Sequence, residues 1–141
     1  MAVITACRGD TEQGRSVQNF MESAGQVKSI TVSDIYDREV SDVVIVCAYT
    51  PPTAITDELG FDWSGAKSLA NELGAHDEYQ AVIAVQDSEV VESEVMSINV
   101  LYLCDMDVRY PATIAADSTL QISSSSTVWS DGTTYPVASI K

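Results

Sequence analysis

Two short segments in the first half of the chain space their apolar residues as amphipathic helices do. In the first segment these residues fall at i, i+3, i+4 and i+7 and form one helix face: Val17, Phe20, Met21 and Ala24. Ser16 is a suitable N-cap residue and Gly25 a suitable C′ residue, because each can satisfy the free backbone groups at its end. The pattern predicts a helix of two to three turns.

The second segment overlaps the end of the proline-led stretch 50–63, which is interpreted as a connection. Its apolar stripe consists of Trp63, Ala66, Leu69, Ala70 and Leu73. Asp62 can cap the N-terminal end, and Gly74 follows as the C′ residue. The sequence therefore predicts a second short helix over this region.

Between the two helices the pattern changes to that of strands. Ile30 and Val32 lie two residues apart in a polar-alternating segment, whereas 43–49 is apolar without a break. An unbroken apolar run is typical of a strand that is buried on both faces. We expect these two segments to pair as a hairpin with its reversal near Asp37 and Arg38, although the acidic loop contains no glycine.

The second half of the chain is strand-like throughout. Residues 79–86 predict one strand, and 87–95 are open between a turn, a short acidic helix and a continued strand. From 96 to 110 every even position is apolar, a period of two that predicts one long strand ended by Pro111. On such a strand Cys104 points to the apolar face and Asp105 to the opposite face, so the two do not form a catalytic pair.

The tail predicts two or three more short strands. Asp131-Gly132 fits a two-residue type I′ hairpin that would set Trp129 across from Thr134, and Pro136 marks an edge strand. The predicted fold class is therefore α+β: a strand-rich antiparallel sheet or sandwich with two short amphipathic helices in the first half and a long strand near 96–110. The whole chain, 1–141, is expected to form a single domain.

The net charge of the chain indicates which classes of partner it can bind. The 141 residues include 21 acidic and 7 basic side chains, which give a formal net charge of −14. Such a surface repels phosphate backbones, so direct nucleic-acid binding is not expected. The acidity suits either a basic partner or a saline habitat. No apolar run is long enough to span a membrane and the N-terminus does not resemble a signal peptide, so the sequence predicts a soluble protein that is not exported by that route.

Reactive side chains are few. Cys7, Cys47, Cys104 and His76 are scattered, which argues against a zinc site, a thiol nucleophile and a disulfide framework, and favours a reducing compartment. Asp105 and Asp107 share a predicted strand face and could serve acid–base chemistry, but nothing predicts a cleft around them. No phosphate-binding or hydrolase motif occurs. We therefore expect no enzyme, no cofactor, no metal site and no small-molecule substrate, and leave calcium binding open.

These patterns favour a structural role. We expect a non-enzymatic subunit of a larger assembly, made in the host cytoplasm and placed in a virion as a capsid decoration or tail/neck component, in contact with copies of itself or other structural proteins. The expected interface residues are Leu101, Leu103, Asp105, Asp107, Arg109 and Trp129. The alternatives are a stand-alone acidic adaptor domain, cytoplasmic in location, for a basic partner, and a small hydrolase-like enzyme that uses carboxylates.

Overall fold

The structure is a computed structural model that describes residues 14–74, 77–124 and 135–140. Within these residues the helices are α1 (Ser16–Ala24), a 3-10 helix (Val32–Ile35), α2 (Pro52–Leu59) and α3 (Ala66–Leu73). The strands are β1 (Ser29–Thr31), β2 (Asp42–Cys47), β3 (Tyr79–Gln86), β4 (Glu89–Ser97), β5 (Ala112–Ala115), β6 (Thr119–Ser124) and β7 (Pro136–Ile140).

The seven described strands form two antiparallel sheets. The larger sheet has the order β4-β3-β2-β5 and the smaller has the order β1-β6-β7. β3 and β4 form a hairpin whose two turn residues, Asp87 and Ser88, have φ values of 52° and 64°, as a type I′ turn requires. The strand-rich α+β class predicted from the sequence is confirmed.

The larger sheet is the middle layer of the molecule. One face of β2 and β3 packs on α2 and α3 in a core that includes Val46, Ile55, Leu69, Leu73 and Ile83. The other face packs on the smaller sheet and α1 in a second core that includes Val17, Ile45, Val82, Leu101 and Leu120. β2 is therefore buried on both faces, as its unbroken apolar run predicts.

Both predicted helices exist, but their N-terminal ends differ from the prediction. Ser16 is the first residue of α1 and not its cap. α3 begins at Ala66 after Gly65, so Asp62 and Trp63 precede it. A side-chain carbon on Gly65 would collide with the Trp63 ring, so the ring and this glycine fix the entry into α3.

The stretch interpreted as a connection contains a third helix, α2. Pro52 is its first residue, a position at which the missing N–H costs nothing, and Gly60 ends it in the left-handed conformation. The expected hairpin around Asp37 and Arg38 is also wrong. β1 pairs with β6 and β2 pairs with β3 and β5, so the two strands lie in different sheets.

The long strand predicted over 96–110 is wrong as well. β4 ends at Ser97, and residues 98–110 form turns in which Tyr102 alone bridges to a strand residue, Val137. Residues 87–95, which the sequence left open, are the hairpin turn and most of β4. β7 lies at an edge of its sheet, as Pro136 predicts. The predicted 131–132 hairpin lies outside the described residues.

A tyrosine surface beside a disulfide

Tyr49 lies in a turn directly after β2 and has an unusual backbone. Its φ is 69°, and 65% of the residue is exposed. The Tyr49 N–H donates to the carbonyl of Gly74 at 2.9 Å, and the Thr50 hydroxyl donates to the carbonyl of Cys47 at 2.7 Å. A left-handed conformation costs a bulky residue about 1–2 kcal/mol. Such strain is concentrated at functional sites, so this exposed aromatic residue is a candidate for function.

A disulfide joins the end of β2 to the loop 98–111. The sulfurs of Cys47 and Cys104 are bonded, and their Cα atoms lie 6.0 Å apart. The expectation that the cysteines remain unpaired is therefore wrong for these two, and the reducing compartment inferred from it loses its support. The pairing arises because β3 brings residue 80 beside Cys47 while the loop packs across residue 80.

Gln80 holds the loop through one fully buried side chain. Its amide nitrogen donates to the carbonyl of Leu101, and its amide oxygen accepts from the N–H of Leu103 at 2.9 Å. The amide thus supplies the donor and the acceptor that a neighbouring strand would otherwise supply. Leu101 and Leu103 consequently point into the core, with exposures of 0% and 3%.

Tyr102 connects the same loop to the smaller sheet. Its N–H donates to the carbonyl of Pro136 at 2.8 Å, and its carbonyl accepts from Ala138 at 3.0 Å. The Tyr102 ring meets Tyr135 edge to face, with ring centres 5.7 Å apart, a favourable aromatic arrangement. The backbone position of Tyr102 is therefore fixed from two sides.

Two exposed aspartates lie among these tyrosines. A hydrogen bond to the Asp77 carboxylate, together with its negative charge, raises the pKa of the Tyr49 phenol. Partial burial raises the pKa of the Tyr102 phenol, and the nearby charges of Asp105 and Asp77 add to the rise. Asp77 thus lies close to both phenols. We call the group Tyr49, Asp77, Tyr102 and Asp105 the tyrosine surface.

The structure places the interface residues predicted from the sequence in different environments. Leu101 and Leu103 are core residues and offer no surface to a partner. Asp105, Asp107 and Arg109 are exposed on the loop, but they do not share a strand face because no strand is present there. Asp105 alone belongs to the tyrosine surface. Trp129 lies outside the described residues.

A second acidic pair lies where α1 meets β4 and is structural; Glu94 is buried and Glu92 is half-buried. The Glu92 carboxylate accepts from the Ser16 N–H at 3.0 Å and from its hydroxyl at 2.8 Å. The Glu94 carboxylate accepts from the N–H groups of Val17 and Gln18 at 2.9 and 3.0 Å. These bonds satisfy the free N–H groups at the start of α1 and place negative charge at the positive end of its dipole. We call Glu92 and Glu94 the buried carboxylate clamp.

Burial affects the protonation of this clamp. Burial raises the pKa of the Glu94 carboxyl above its ordinary value, and the negative charge of Glu92 adds to the rise. The two backbone hydrogen bonds and the charge of Arg15 lower this pKa but do not cancel the rise. Burial likewise raises the pKa of the Tyr36 phenol, with Glu92 and Glu94 contributing. The acidic stretch of β4 is therefore partly interior, which its composition did not indicate.

Other kinds of site have little support in the part of the chain that the structure describes. There, no group of three histidine, cysteine, aspartate or glutamate residues is placed to hold a metal ion. A groove of about 440 Å³ beside Met21, Lys28, Ile122 and Tyr135 has no carboxylate in its lining. None of the described helices is both long and apolar enough to cross a membrane.

Comparisons with protein-family models, with curated proteins and with solved structures each found no match. The site must therefore be interpreted from its own chemistry. Sequence reasoning missed Tyr49, Asp77 and Gln80, because no local pattern marks a left-handed tyrosine or a side chain that replaces a strand. It also missed the 47–104 pairing, since an odd number of widely spaced cysteines does not identify partners.

Proposed function

We propose that this chain is a non-enzymatic structural subunit of a larger protein assembly and that the tyrosine surface is its contact with a neighbouring subunit. The observation that carries the proposal is Tyr49, which is 65% exposed on a left-handed backbone. The Tyr49 N–H bonds to the Gly74 carbonyl, but the exposed side chain adds little packing to the fold, whereas tyrosines are frequent among the residues that dominate protein interfaces.

The second support is the way the surface is held. A disulfide, the buried Gln80 amide and the backbone bonds of Tyr102 hold the backbone near Tyr49 and at Tyr102. A rigid surface loses little conformational entropy on binding, which increases affinity. We propose more specifically a virion component, such as a capsid decoration or tail/neck subunit, on the basis of the acidic, lysine-poor, strand-rich chain.

Chemical footprinting of tyrosine tests both parts of the proposal. Large complexes would be separated by sedimentation from cells that make the chain, and Tyr49 iodination would be compared between the complex and the free chain. We expect the chain in a particle-sized fraction at fixed stoichiometry, with Tyr49 strongly protected there. Y49N identifies the Tyr49 signal. A chain found only free in solution contradicts the assembly role, and equal labelling in both states contradicts the assigned surface.

The alternative of a stand-alone acidic binding domain is favoured by one observation. Among the described residues, neither Asp77 nor Asp105 takes part in a salt bridge, since the ion pair found there joins Arg15 and Glu22. A monomeric mass by light scattering, together with a complex of only two or three chains in the cell, would favour this alternative. The carboxylate enzyme has less support, because Asp105 and Asp107 are exposed and neither lines the groove described above.

A further inference from the structure

The smaller sheet has one face in the core and one face turned away from it. On the inner face Ile30, Leu120 and Ala138 are buried. Because side chains alternate along a strand, the residues between them point outward. Six of these outward residues carry a hydroxyl or an amide, and together with Val137 we call them the outer face: Ser29, Thr31, Thr119, Gln121, Ser123 and Ser139.

The strand register brings these side chains together in rows. Gln121 on the central strand β6 lies between Ser29 of β1 and Ser139 of β7. Thr31 is paired with Thr119, and their hydroxyl oxygens are 3.5 Å apart. Ser29 and Ser139 are exposed, and the other three are half-buried. The outer face is therefore one continuous, solvent-accessible polar layer with Gln121 at its centre.

The outer face differs in charge from the rest of the surface. Its described side chains are all uncharged, although the whole chain carries a net charge of −14. On the far side of the larger sheet, exposed carboxylates occur at Asp57 of α2 and Glu72 of α3. The solvated surface of a soluble protein usually carries many charged side chains. The outer face is thus an uncharged region of an otherwise acidic surface.

An uncharged region matters most for contact between identical chains. Two chains with a net charge of −14 repel one another, and the repulsion is weakest where the facing surfaces carry no charge. In a contact with twofold symmetry the same patch meets itself, so carboxylates would face carboxylates. Hydroxyl and amide groups contain both a donor and an acceptor. The outer face can therefore form hydrogen bonds with a copy of itself.

We infer that two copies of this chain pack the outer faces of their smaller sheets against each other about a twofold axis, with Gln121 near the centre of the contact. This inference rests on the proposed assembly and adds a second contact to the tyrosine surface. The face is small beside the roughly 20–30 residues a side of a stable interface. The contact is therefore weak between two free chains and is strengthened where other contacts in the assembly act with it.

Sedimentation equilibrium of the intact, oxidised chain tests the contact, up to millimolar concentration at physiological and at molar salt. We expect a monomer–dimer equilibrium that molar salt tightens, because salt screens the general repulsion. Q121E adds a like charge to both sides of the contact at almost constant side-chain size. It should weaken dimerisation at physiological salt at least about fivefold, and by less at molar salt.

The matched control is N71D, which adds the same charge at an exposed position of α3, on the far side of the larger sheet. It should change dimerisation by less than about twofold, because its charge is remote from the contact. Q121N keeps an uncharged amide at the centre and should still dimerise. Thermal melting of Q121E excludes unfolding as the cause.

NMR of the backbone amides on dilution locates the contact. The concentration-dependent shifts should be concentrated in β1, β6 and β7. A monomer at millimolar concentration in molar salt, equal weakening by Q121E and N71D, or dilution shifts confined to other elements would each overturn the inference. Shifts of the outer face on adding a different protein, with none on dilution, would also overturn it and assign the face to that partner.

The two proposals can fail separately. Protection of Tyr49 in a particle-sized complex, with a chain that stays monomeric under all these conditions, would retain the assembly and refute this contact. Dimerisation that Q121E weakens and N71D does not, with Tyr49 equally labelled in the cell, would support this contact and refute the tyrosine surface.

Discussion

Two pairs of carboxylates show how differently this protein uses the same charge. In the buried carboxylate clamp, Glu94 is 3% exposed and both its oxygens accept backbone N–H groups of α1. In the tyrosine surface, Asp77 and Asp105 are exposed and lie beside phenols, without a described cation. The first pair is fully engaged by its own chain, so it stabilises the fold. The second pair is exposed at the surface.

The largest stability effect is expected where the surface is joined to the core. The disulfide links residues 57 positions apart, so the double variant C47S/C104S should lose about 2–4 kcal/mol of unfolding free energy. Urea unfolding measures the loss. C7S is introduced into both the disulfide-containing chain and the double variant, so that no free thiol can exchange with the disulfide. An unchanged urea midpoint would show that Gln80 and the core leucines hold the loop without the disulfide.

Removing one carboxylate of the clamp should have the next largest effect. E94A removes the acceptors of the buried Val17 N–H and the partly buried Gln18 N–H, and a buried group that is left unsatisfied costs about 1–3 kcal/mol. We expect a total loss of about 3 kcal/mol in urea unfolding. E89A, at an exposed position of the same strand, is the matched control and should change stability by less than about 0.5 kcal/mol. Equal effects at the two positions would contradict the structural role of the clamp.

The pH dependence of stability should report the burial of Glu94. Because burial raises its pKa in the folded state, folding favours the protonated form of this group. Its contribution to stability is therefore fully present below the ordinary glutamate pKa, and it is lost as the pH rises through the raised value. The destabilisation caused by E94Q should be greatest in acid and should shrink as the pH rises. A difference that is constant with pH would mean that Glu94 has an ordinary pKa.

The smallest stability effect is expected at the tyrosine surface. D77N removes an exposed carboxylate and should change the unfolding free energy by less than about 0.5 kcal/mol. It should nevertheless lower the pKa of Tyr49 towards its ordinary value, because the hydrogen bond to a charged acceptor is lost. Ultraviolet titration of tyrosinate, with Y49N to assign the signal, measures the change. An identical titration curve would contradict the Tyr49–Asp77 contact.

Local signals allowed much of the fold to be predicted. The predicted strand 79–86 matches β3 residue for residue, and Gly25 and Gly74 follow the last residues of α1 and α3 as expected. The predictions fail where contacts with residues far away in the sequence determine the local structure. The alternation over 96–110 suits a strand, but after Ser97 the side chain of Gln80 takes the place of a partner strand. A period of two does not indicate what supplies the hydrogen bonds.

The candidate site was predictable only in part. Asp105 was identified, but as a member of a strand face, and Leu101 and Leu103 were assigned to the wrong environment because the loop turns them into the core. Glu92 and Glu94 were not singled out, since composition does not show that a helix N-terminus lies against them. In each case the missing information is a contact between segments far apart in sequence.

The anchoring of the loop by Gln80 has a consequence for protein engineering. The fixed points are Leu101, Leu103 and Cys104, while Val108 and Arg109 form an exposed arm before β5. Lengthening an exposed loop costs little, about 0.6 kcal/mol for each doubling of its length. A foreign peptide inserted between Val108 and Arg109 would therefore be displayed on a loop whose preceding residues are held by the disulfide and by Gln80.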